Sequence, residues 1–156
     1  MKNFRHKIPI QVRFKDLDDM GHVNNANHLS YIELARLKYF QEVFDIGTNW
    51  NKQDGLILAR VEIDFRKPVY FNDKVFVYTR CSRIGNKSFD LDFLIVKETL
   101  ALKNNSSDEI FTEVLAEGKT ILACYDYIQK KAIEIPEERK QILNDYEGEI
   151  IQNLKN

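Results

Sequence analysis

The sequence is poor in the residues that mark specialised protein classes. Its 156 residues include two cysteines, three prolines, six glycines and one tryptophan. Two cysteines are too few to staple a small secreted fold, and Cys81 and Cys124 both lie in strand-like segments. We therefore expect two buried, reduced thiols and no disulfide framework.

Long apolar runs are also absent. No stretch approaches the ~20 apolar residues that a membrane-spanning helix needs. Residues 1–7 are basic, but the apolar core of a signal peptide does not follow them. These absences predict a cytoplasmic protein with no membrane partner.

Neither sign of charge is in excess. The chain has 23 lysines and arginines against 24 aspartates and glutamates, for a formal net charge of −1. Such a balance produces no overall field that would attract nucleic acid, so we expect no nucleic-acid partner. Any anionic ligand must then be held by local donors. The length fits one ordinary domain with a substantial core, which we take to span residues 1–156.

The apolar residues predict one long helix near the N-terminus. A loosely alternating strand over residues 8–15 precedes a polar loop, and helical spacing then runs from His28 to about Phe44. We take Asn27 as the N-cap and Gly47 as the end of the helical region. The side chains expected to form its buried stripe are Leu29, Ile32, Ala35, Tyr39, Phe40 and Val43.

The period of the apolar residues then switches to two, which predicts four long antiparallel strands. Gly85 and Asn86 give the hairpin signal between two of them, and Gly118 is expected at a bulge or bend. Pro136 opens a short peripheral helix near residues 136–147. The predicted fold class is therefore α+β, with a curled antiparallel sheet wrapped around one long central helix.

One helix covers only one face of such a sheet. Its other face and its edges still need partners. We therefore expect a homodimer or a homotetramer. The candidate interface residues are Phe76, Tyr78, Ile121 and Tyr125.

The segment before the long helix concentrates groups capable of acid–base chemistry. Asp16, Asp18 and Asp19 are followed by Gly21 and His22, and the helix begins soon after. Backbone N–H groups at a helix N-terminus lack intrahelical partners and attract negative charge. This combination suits a reaction in which an oxyanion develops beside a carboxylate, which indicates an enzyme. The alternative is that these aspartates only make turn and capping hydrogen bonds.

Metal and phosphate motifs are missing. His22 and His28 are six residues apart across a loop, and no cysteine pair or His-x-x-x-His pattern accompanies them. No glycine-rich phosphate loop is present. We expect no metal site and no cofactor.

The stretch from Arg13 to Arg36 resembles a known family. It contains Asp16-Leu-Asp18, then Gly21-His-Val-Asn-Asn25, then Tyr31, Glu33 and Arg36. This pattern resembles the 4-hydroxybenzoyl-CoA thioesterase-like branch of the hotdog-fold superfamily, and it is most similar to the long-chain acyl-CoA and plant acyl-ACP thioesterases. The resemblance implies a hotdog fold. It also implies an enzyme that hydrolyses an acyl-CoA thioester, expected to be fatty, without a cofactor.

The resemblance also implies site residues. Asp18 matches the catalytic carboxylate, acting as general base or as nucleophile, and the backbone N–H of Asn25 would point at the thioester carbonyl. His22 matches a histidine of the plant enzymes, whose asparagine falls on Met20 here. The catalytic set is thus Asp18, His22 and Asn25.

Residues implied to bind substrate lie in two places. Gly21 and Tyr31 belong to the first motif, whereas Lys87 and Ser88 lie in a hairpin that resembles the family's turn beside the CoA arm. Two alternatives stay open: an acyl-ACP thioesterase, and a non-catalytic acyl-CoA-binding hotdog protein.

Overall fold

The computed structural model describes residues 3–45, 52–101, 109–148 and 152–153. Two α-helices, seven strands and one 3₁₀ turn are formed by these residues. In chain order the elements are β1 His6–Ile10, the 3₁₀ turn Phe14–Asp16, α1 Asn25–Phe44, β2 Gly55–Phe65, β3 Val75–Ile84, β4 Ser88–Ala101, β5 Glu109–Asp126, β6 Lys131–Ala132, α2 Glu137–Glu147 and β7 Gln152–Asn153.

The strands form one sheet in the order β1-β3-β4-β5-β2, with every neighbouring pair antiparallel. The two-residue strand β6 pairs with β5, and β7 pairs in parallel with β3. The short connection at Gly85 makes β3 and β4 a hairpin, as predicted, and the Gly85 N–H donates to the Ser88 carbonyl at 2.8 Å. The predicted α+β architecture is confirmed.

Helix α1 packs its buried stripe against this sheet in two clusters. Its first half joins Tyr31 and Ile32 to the early part of β3, at Val75 and Val77. Its second half joins Tyr39, Phe40 and Val43 to the late part of β3 and the early part of β4. The two clusters therefore lie at opposite ends of the strands, one beside the N-terminal half of α1 and the other beside its C-terminal half.

One member of the predicted stripe is wrong. Leu29 is 47% exposed, whereas the other five residues are buried. Leu29 follows directly on His28, and His28 is the residue that turns inward at this level of the helix. His28 packs edge-on against Phe65, with the ring centroids 5.1 Å apart, so His28 and not Leu29 is the buried residue in this turn.

The predicted start of α1 is also wrong by three residues. The helix begins at Asn25, and its N-cap is Asn24, whose side chain accepts a hydrogen bond from the Ala26 N–H at 2.9 Å. Asn27, the predicted cap, instead donates its side-chain amide to the Asp16 carbonyl. The helix ends at Phe44 with Asp45 in a left-handed conformation, and Gly47 lies outside the described residues.

Gly118 serves a close approach rather than a bulge. The register of β5 shifts at Leu115 and that of β2 at Ala59, not at Gly118. A Cβ on Gly118 would lie 2.0 Å from the Glu62 carbonyl oxygen. The glycine therefore lets the backbone of β2 pass close to β5.

The C-terminal helix α2 closes the second cluster, near its predicted position. Glu147, in its last turn, is buried, and its Oε1 accepts the Tyr39 hydroxyl at 2.6 Å and the Cys81 backbone N–H at 2.7 Å. Cys81 and Cys124 are both buried free thiols, as predicted, and burial raises the pKa of each. Neither described helix has the length and apolar sequence needed to cross a bilayer.

Candidate functional site

A small closed loop presents the acidic segment just before α1. The Asp18 N–H donates to the His22 carbonyl at 2.9 Å, and the Gly21 N–H donates to the Asp18 carbonyl at 3.0 Å. Gly21 has φ +81°, a left-handed conformation that favours glycine. Val23, at the end of the loop, is bonded to the Val69 carbonyl at 2.8 Å. The loop is therefore closed on itself and attached to the segment that follows β2.

Asp18 and His22 face each other across this loop. One carboxylate oxygen, Oδ1, accepts the Met20 N–H at 2.9 Å, and the other, Oδ2, lies 3.4 Å from His22 Nδ1. The side chains of Asp18 and His22 are 27% and 36% exposed. The carboxylate is thus oriented by the loop and still reachable from outside, as a general base or nucleophile requires.

The first amide of α1 is a backbone donor that the helix leaves without a partner. Asn25 is the first helical residue, so its N–H has no intrahelical acceptor. The N–H groups of Ala26 and Asn27 are occupied by the side chain and the carbonyl of Asn24. The Asn25 amide, at the positive end of the helix dipole, can therefore receive a developing oxyanion.

A second, buried carboxylate supports the loop from behind. Asp16 is 1% exposed, and it binds the Arg13 guanidinium at 3.0–3.2 Å and the Tyr31 hydroxyl at 2.8 Å. Burial opposes its ionisation, but the hydrogen bonds from Arg13 and Tyr31 outweigh burial and lower the pKa of Asp16. Burial and the contact with Asp16 raise the pKa of Tyr31. Asp16 is therefore a carboxylate held ionised inside the fold.

Tyr31 has a different neighbour from the one its predicted role suggests. Its side chain is 4% exposed and its hydroxyl is directed at Asp16. Local sequence patterns do not predict this contact, because Tyr31 and Asp16 are fifteen residues apart. The only available signal was the presence of a tyrosine on the first turns of a helix that follows an acidic loop.

His28 is a structural residue by its surroundings. It is buried against Phe65, and its Nδ1 lies 3.3 Å from the Asn24 carbonyl. Burial lowers its pKa, so the ring stays neutral near pH 7. Among the residues with described side chains, no group of three or more His, Cys, Asp or Glu is arranged to hold a metal ion.

Lys87 and Ser88 lie at the opposite end of the molecule from Asp18. Their hairpin belongs with the second half of α1, since Ile84 and Phe89 on either side of it pack in the second cluster. The loop that carries Asp18 adjoins the first cluster, through Val23 and Tyr31. The structure therefore brings Asp18, Gly21, His22 and Asn25 together, and one chain does not add Lys87 or Ser88 to them.

A large apolar groove runs along α1 beside β2. Its volume is about 920 Å³. Leucines dominate its walls: Leu34, Leu37, Leu56, Leu58 and Leu122. Leu34 and Leu37 lie on the side of α1 away from the predicted stripe, so that stripe did not predict this wall of the groove.

The chain resembles known proteins over most of its length. The model of the thioesterase-like superfamily matches residues 12–143. The long-chain acyl-CoA thioesterase FadM of Escherichia coli (strain K12) is 23% identical over 134 residues, which cover 86% of this chain and 93% of FadM. The uncharacterized protein YsmA of Bacillus subtilis (strain 168) is 29% identical over 85 residues, and this alignment covers 54% of the chain and 56% of YsmA.

Solved structures agree with the fold. A thioesterase from Thermus thermophilus, determined in complex with coenzyme A and Zn, superposes with a TM-score of 0.76 and 31% identity. The superposition covers 95% of this chain and 98% of that one. These likenesses confirm the predicted hotdog fold.

Proposed function

Because the chain belongs to the thioesterase-like superfamily, we propose that it hydrolyses acyl-CoA thioesters to a free acid and CoA. One observation carries the proposal. A partly exposed carboxylate, Asp18, is oriented by its own loop, and this loop leads into the N-terminus of α1, where the Asn25 N–H has no intrahelical acceptor. Thioester hydrolysis needs both groups, one to activate the attack and one to stabilise the oxyanion.

The proposed reaction follows from these two groups. The thioester carbonyl oxygen accepts the Asn25 N–H, which polarises the carbonyl carbon. Asp18 either removes a proton from the attacking water or attacks the carbon itself. The carbon–sulfur bond then breaks and the CoA sulfur takes a proton. If water attacked, the free acid is released in this step; if Asp18 attacked, water then hydrolyses the anhydride between Asp18 and the acyl group, which frees both carboxylates. His22, 3.4 Å from Asp18, orients the carboxylate or the water.

The acyl chain is proposed to lie in the leucine-lined groove. The groove follows α1 from Ser30 to Phe40, so it starts about one and a half turns beyond the Asn25 amide. Its apolar walls match a fatty acyl chain, which gains free energy by leaving water. FadM, similar to this chain, is named for long-chain acyl-CoA. The fatty substrate is thus supported by groove chemistry and by likeness.

A second copy of the chain is proposed to complete the molecule. Strand β2 is at the edge of the sheet, and within the described residues no strand pairs with its outer side. Its Phe65 end contacts His28 near the start of α1, and its Leu56 end packs in the second cluster. Two β2 strands paired antiparallel about a two-fold axis would therefore bring the β3–β4 hairpin of the second copy toward the Asp18 end. This arrangement would let Lys87 and Ser88 serve as the predicted CoA contacts.

The assembly is tested by measuring the mass in solution. We expect a dimer or tetramer by size-exclusion chromatography with light scattering at micromolar concentration. A monomer there would contradict the proposed assembly and leave Lys87 and Ser88 without a route to the site. The cytoplasmic location stays a prediction from the sequence.

The activity is tested by following free thiol release from a panel of short, long and aromatic CoA esters. We expect Asp18→Asn to lower kcat by about 100-fold or more, because a positioned acid–base group contributes at least that much. Asp19→Asn, which changes the exposed neighbouring carboxylate, is the matched control and should stay near the wild-type rate. A folded Asp18→Asn variant with unchanged turnover would remove Asp18 from the mechanism.

The same acyl groups on acyl carrier protein test the alternative carrier. Faster release from the carrier protein than from CoA would make the protein an acyl-ACP thioesterase. Binding of acyl-CoA without any release would make it a non-catalytic binding protein.

A further inference from the structure

The buried carboxylate of Asp16 holds both sides of the proposed active-site loop. On its side-chain end, Oδ2 accepts the Tyr31 hydroxyl at 2.8 Å and the Arg13 backbone N–H at 3.0 Å. On its backbone end, the Asp16 carbonyl accepts the Asn24 N–H at 2.9 Å and the Asn27 side-chain amide at 2.8 Å. Asp16 therefore links the 3₁₀ turn after β1 to the first two turns of α1.

The position of Asp16 in the chain makes this joint relevant to chemistry. Asp18 is two residues after Asp16, and the intervening Leu17 forms a bridge with Val23 on the far side of the loop. Asn24, bonded to the Asp16 carbonyl, directly precedes the Asn25 amide. Both groups proposed to act on the thioester are therefore close to Asp16 along the chain. Asp18 is two residues after Asp16, and Asn25 is one residue after Asn24, which Asp16 binds.

The carboxylate is also built to stay ionised while buried. Arg13 binds it through the guanidinium, and its charge compensates the charge of Asp16 at 3.0 Å. A buried charge without such partners would cost several kcal/mol. A neutral residue of similar shape could fill the same space, but it could not accept the hydrogen bonds from both Arg13 and Tyr31 as an ionised carboxylate does.

We propose that Asp16, acting through Tyr31 and Arg13, is the positioning residue that sets the distance between the Asp18 carboxylate and the Asn25 amide. This inference rests on the proposed function. Tyr31 is then a positioning residue as well, since its buried hydroxyl donates to Asp16. A displacement of about 1 Å between reacting groups can lower a rate by about 100-fold, so the hydrogen bonds of Asp16 bear directly on kcat.

The test removes one hydrogen bond at a time. Tyr31→Phe deletes only the hydroxyl, and we expect kcat to fall about tenfold with KM within about twofold of wild type, because alignment and not ground-state binding is lost. Asp16→Asn should lower kcat by about 100-fold. The double variant should fall no further than Asp16→Asn alone, because both changes break the same link.

The chain provides a matched control in Tyr39→Phe. Tyr39 is on the same helix, is buried, and donates its hydroxyl to the buried carboxylate of Glu147 at the other end of α1. Its loss should reduce stability about as much as the loss of the Tyr31 hydroxyl, but kcat should stay at the wild-type value. Equal losses of kcat in Tyr31→Phe and Tyr39→Phe, at matched stability, would overturn the proposal.

A second readout does not depend on activity. Amide hydrogen exchange over residues 17–25 should be faster in Tyr31→Phe than in wild type and unchanged in Tyr39→Phe. Unchanged exchange in Tyr31→Phe would overturn the positioning role, whatever the substrate. If no thioester is cleaved by the wild type but exchange rises as expected, the proposed function fails and the positioning of the loop stands.

Discussion

The two ends of helix α1 carry the same pair of groups in different surroundings. At the first end the Tyr31 hydroxyl meets Asp16 at 2.8 Å, and at the second end the Tyr39 hydroxyl meets Glu147 at 2.6 Å. Arg13 binds Asp16 directly, whereas Glu147 has one carboxylate oxygen, Oε2, with no hydrogen-bond partner within the described residues. The buried carboxylate of Asp16 thus has a cation in direct contact, whereas that of Glu147 has only neutral hydrogen-bond donors in the described part of the chain.

The pKa values follow this difference. Hydrogen bonds from Arg13 and Tyr31 outweigh burial and lower the pKa of Asp16. At Glu147 burial is the largest effect and raises the pKa, although the bonds from Tyr39 and Cys81 oppose it. The first end of α1 therefore holds the buried, ionised carboxylate of Asp16, two residues before the partly exposed carboxylate of Asp18. The second end holds a carboxyl group that closes the core under α2.

The largest expected effect is at the first end of α1, where loss of the Asn25 N–H should lower kcat. Asn25→Pro removes that N–H at the first helical position, where proline is tolerated, and Asn24 already has ψ 138°, which suits a residue before proline. We expect kcat to fall by about 100-fold, the usual cost of losing one oxyanion donor. Thiol release from CoA esters measures it.

Asn25→Ala is the control, because it keeps the backbone N–H and changes only the side chain. It should retain wild-type kcat. Full activity in a folded Asn25→Pro variant would show that the oxyanion is stabilised elsewhere.

At the second end, the buried Glu147 should affect stability and not activity. Glu147→Ala leaves the buried Tyr39 hydroxyl and Cys81 N–H without their acceptor, and we expect a loss of about 3 kcal/mol in the free energy of unfolding. Urea denaturation measures this loss. Glu42→Ala, which removes an exposed carboxylate bonded to Tyr146, should cost less than about 1 kcal/mol. A similar loss for both variants would erase the distinction between buried and exposed carboxylates here.

The two ends should also respond to pH with opposite sign. The pKa of Asp16 is lowered from 3.8, so its contribution to stability is present above that value and is lost as pH falls through the folded pKa. The pKa of Glu147 is raised from 4.5, so its contribution is present below that value and is lost as pH rises through the folded pKa.

Thermal unfolding from about pH 3 to 8 tests both effects. Asp16→Asn should flatten the acid side of the stability profile, and Glu147→Gln should flatten the decline on the side above 4.5. These shifts are the smallest of the expected effects. Two variants that flatten the same side would contradict the assigned pKa directions.

Local patterns predicted the elements better than their ends. Alternation in the second half of the chain correctly indicated β3, β4 and β5, because each strand needs one buried face. The start of α1 was wrong because Asn24, Asn25 and Asn27 are all acceptable caps. Only the hydrogen bond from the Ala26 N–H to the Asn24 side chain decides between them.

Local sequence also predicted the part of the candidate site that lies in one segment. Asp18, Gly21, His22 and Asn25 lie within eight residues, so their closeness follows from the chain itself. The contact between Tyr31 and Asp16 could not be read from spacing, and neither could the groove between α1 and β2. Both depend on how separate elements pack.

The sequence by itself determined that a carboxylate precedes a helix N-terminus and that one helix packs on a run of strands, because these features arise from neighbours a few residues apart. The tertiary structure alone decided that Asp16 is buried under Asp18, that Lys87 and Ser88 lie at the far end of the same chain, and that a leucine-lined groove opens beside β2. Side-chain burial depends on elements distant in sequence, and the packing of α1 on the sheet is what brings them together.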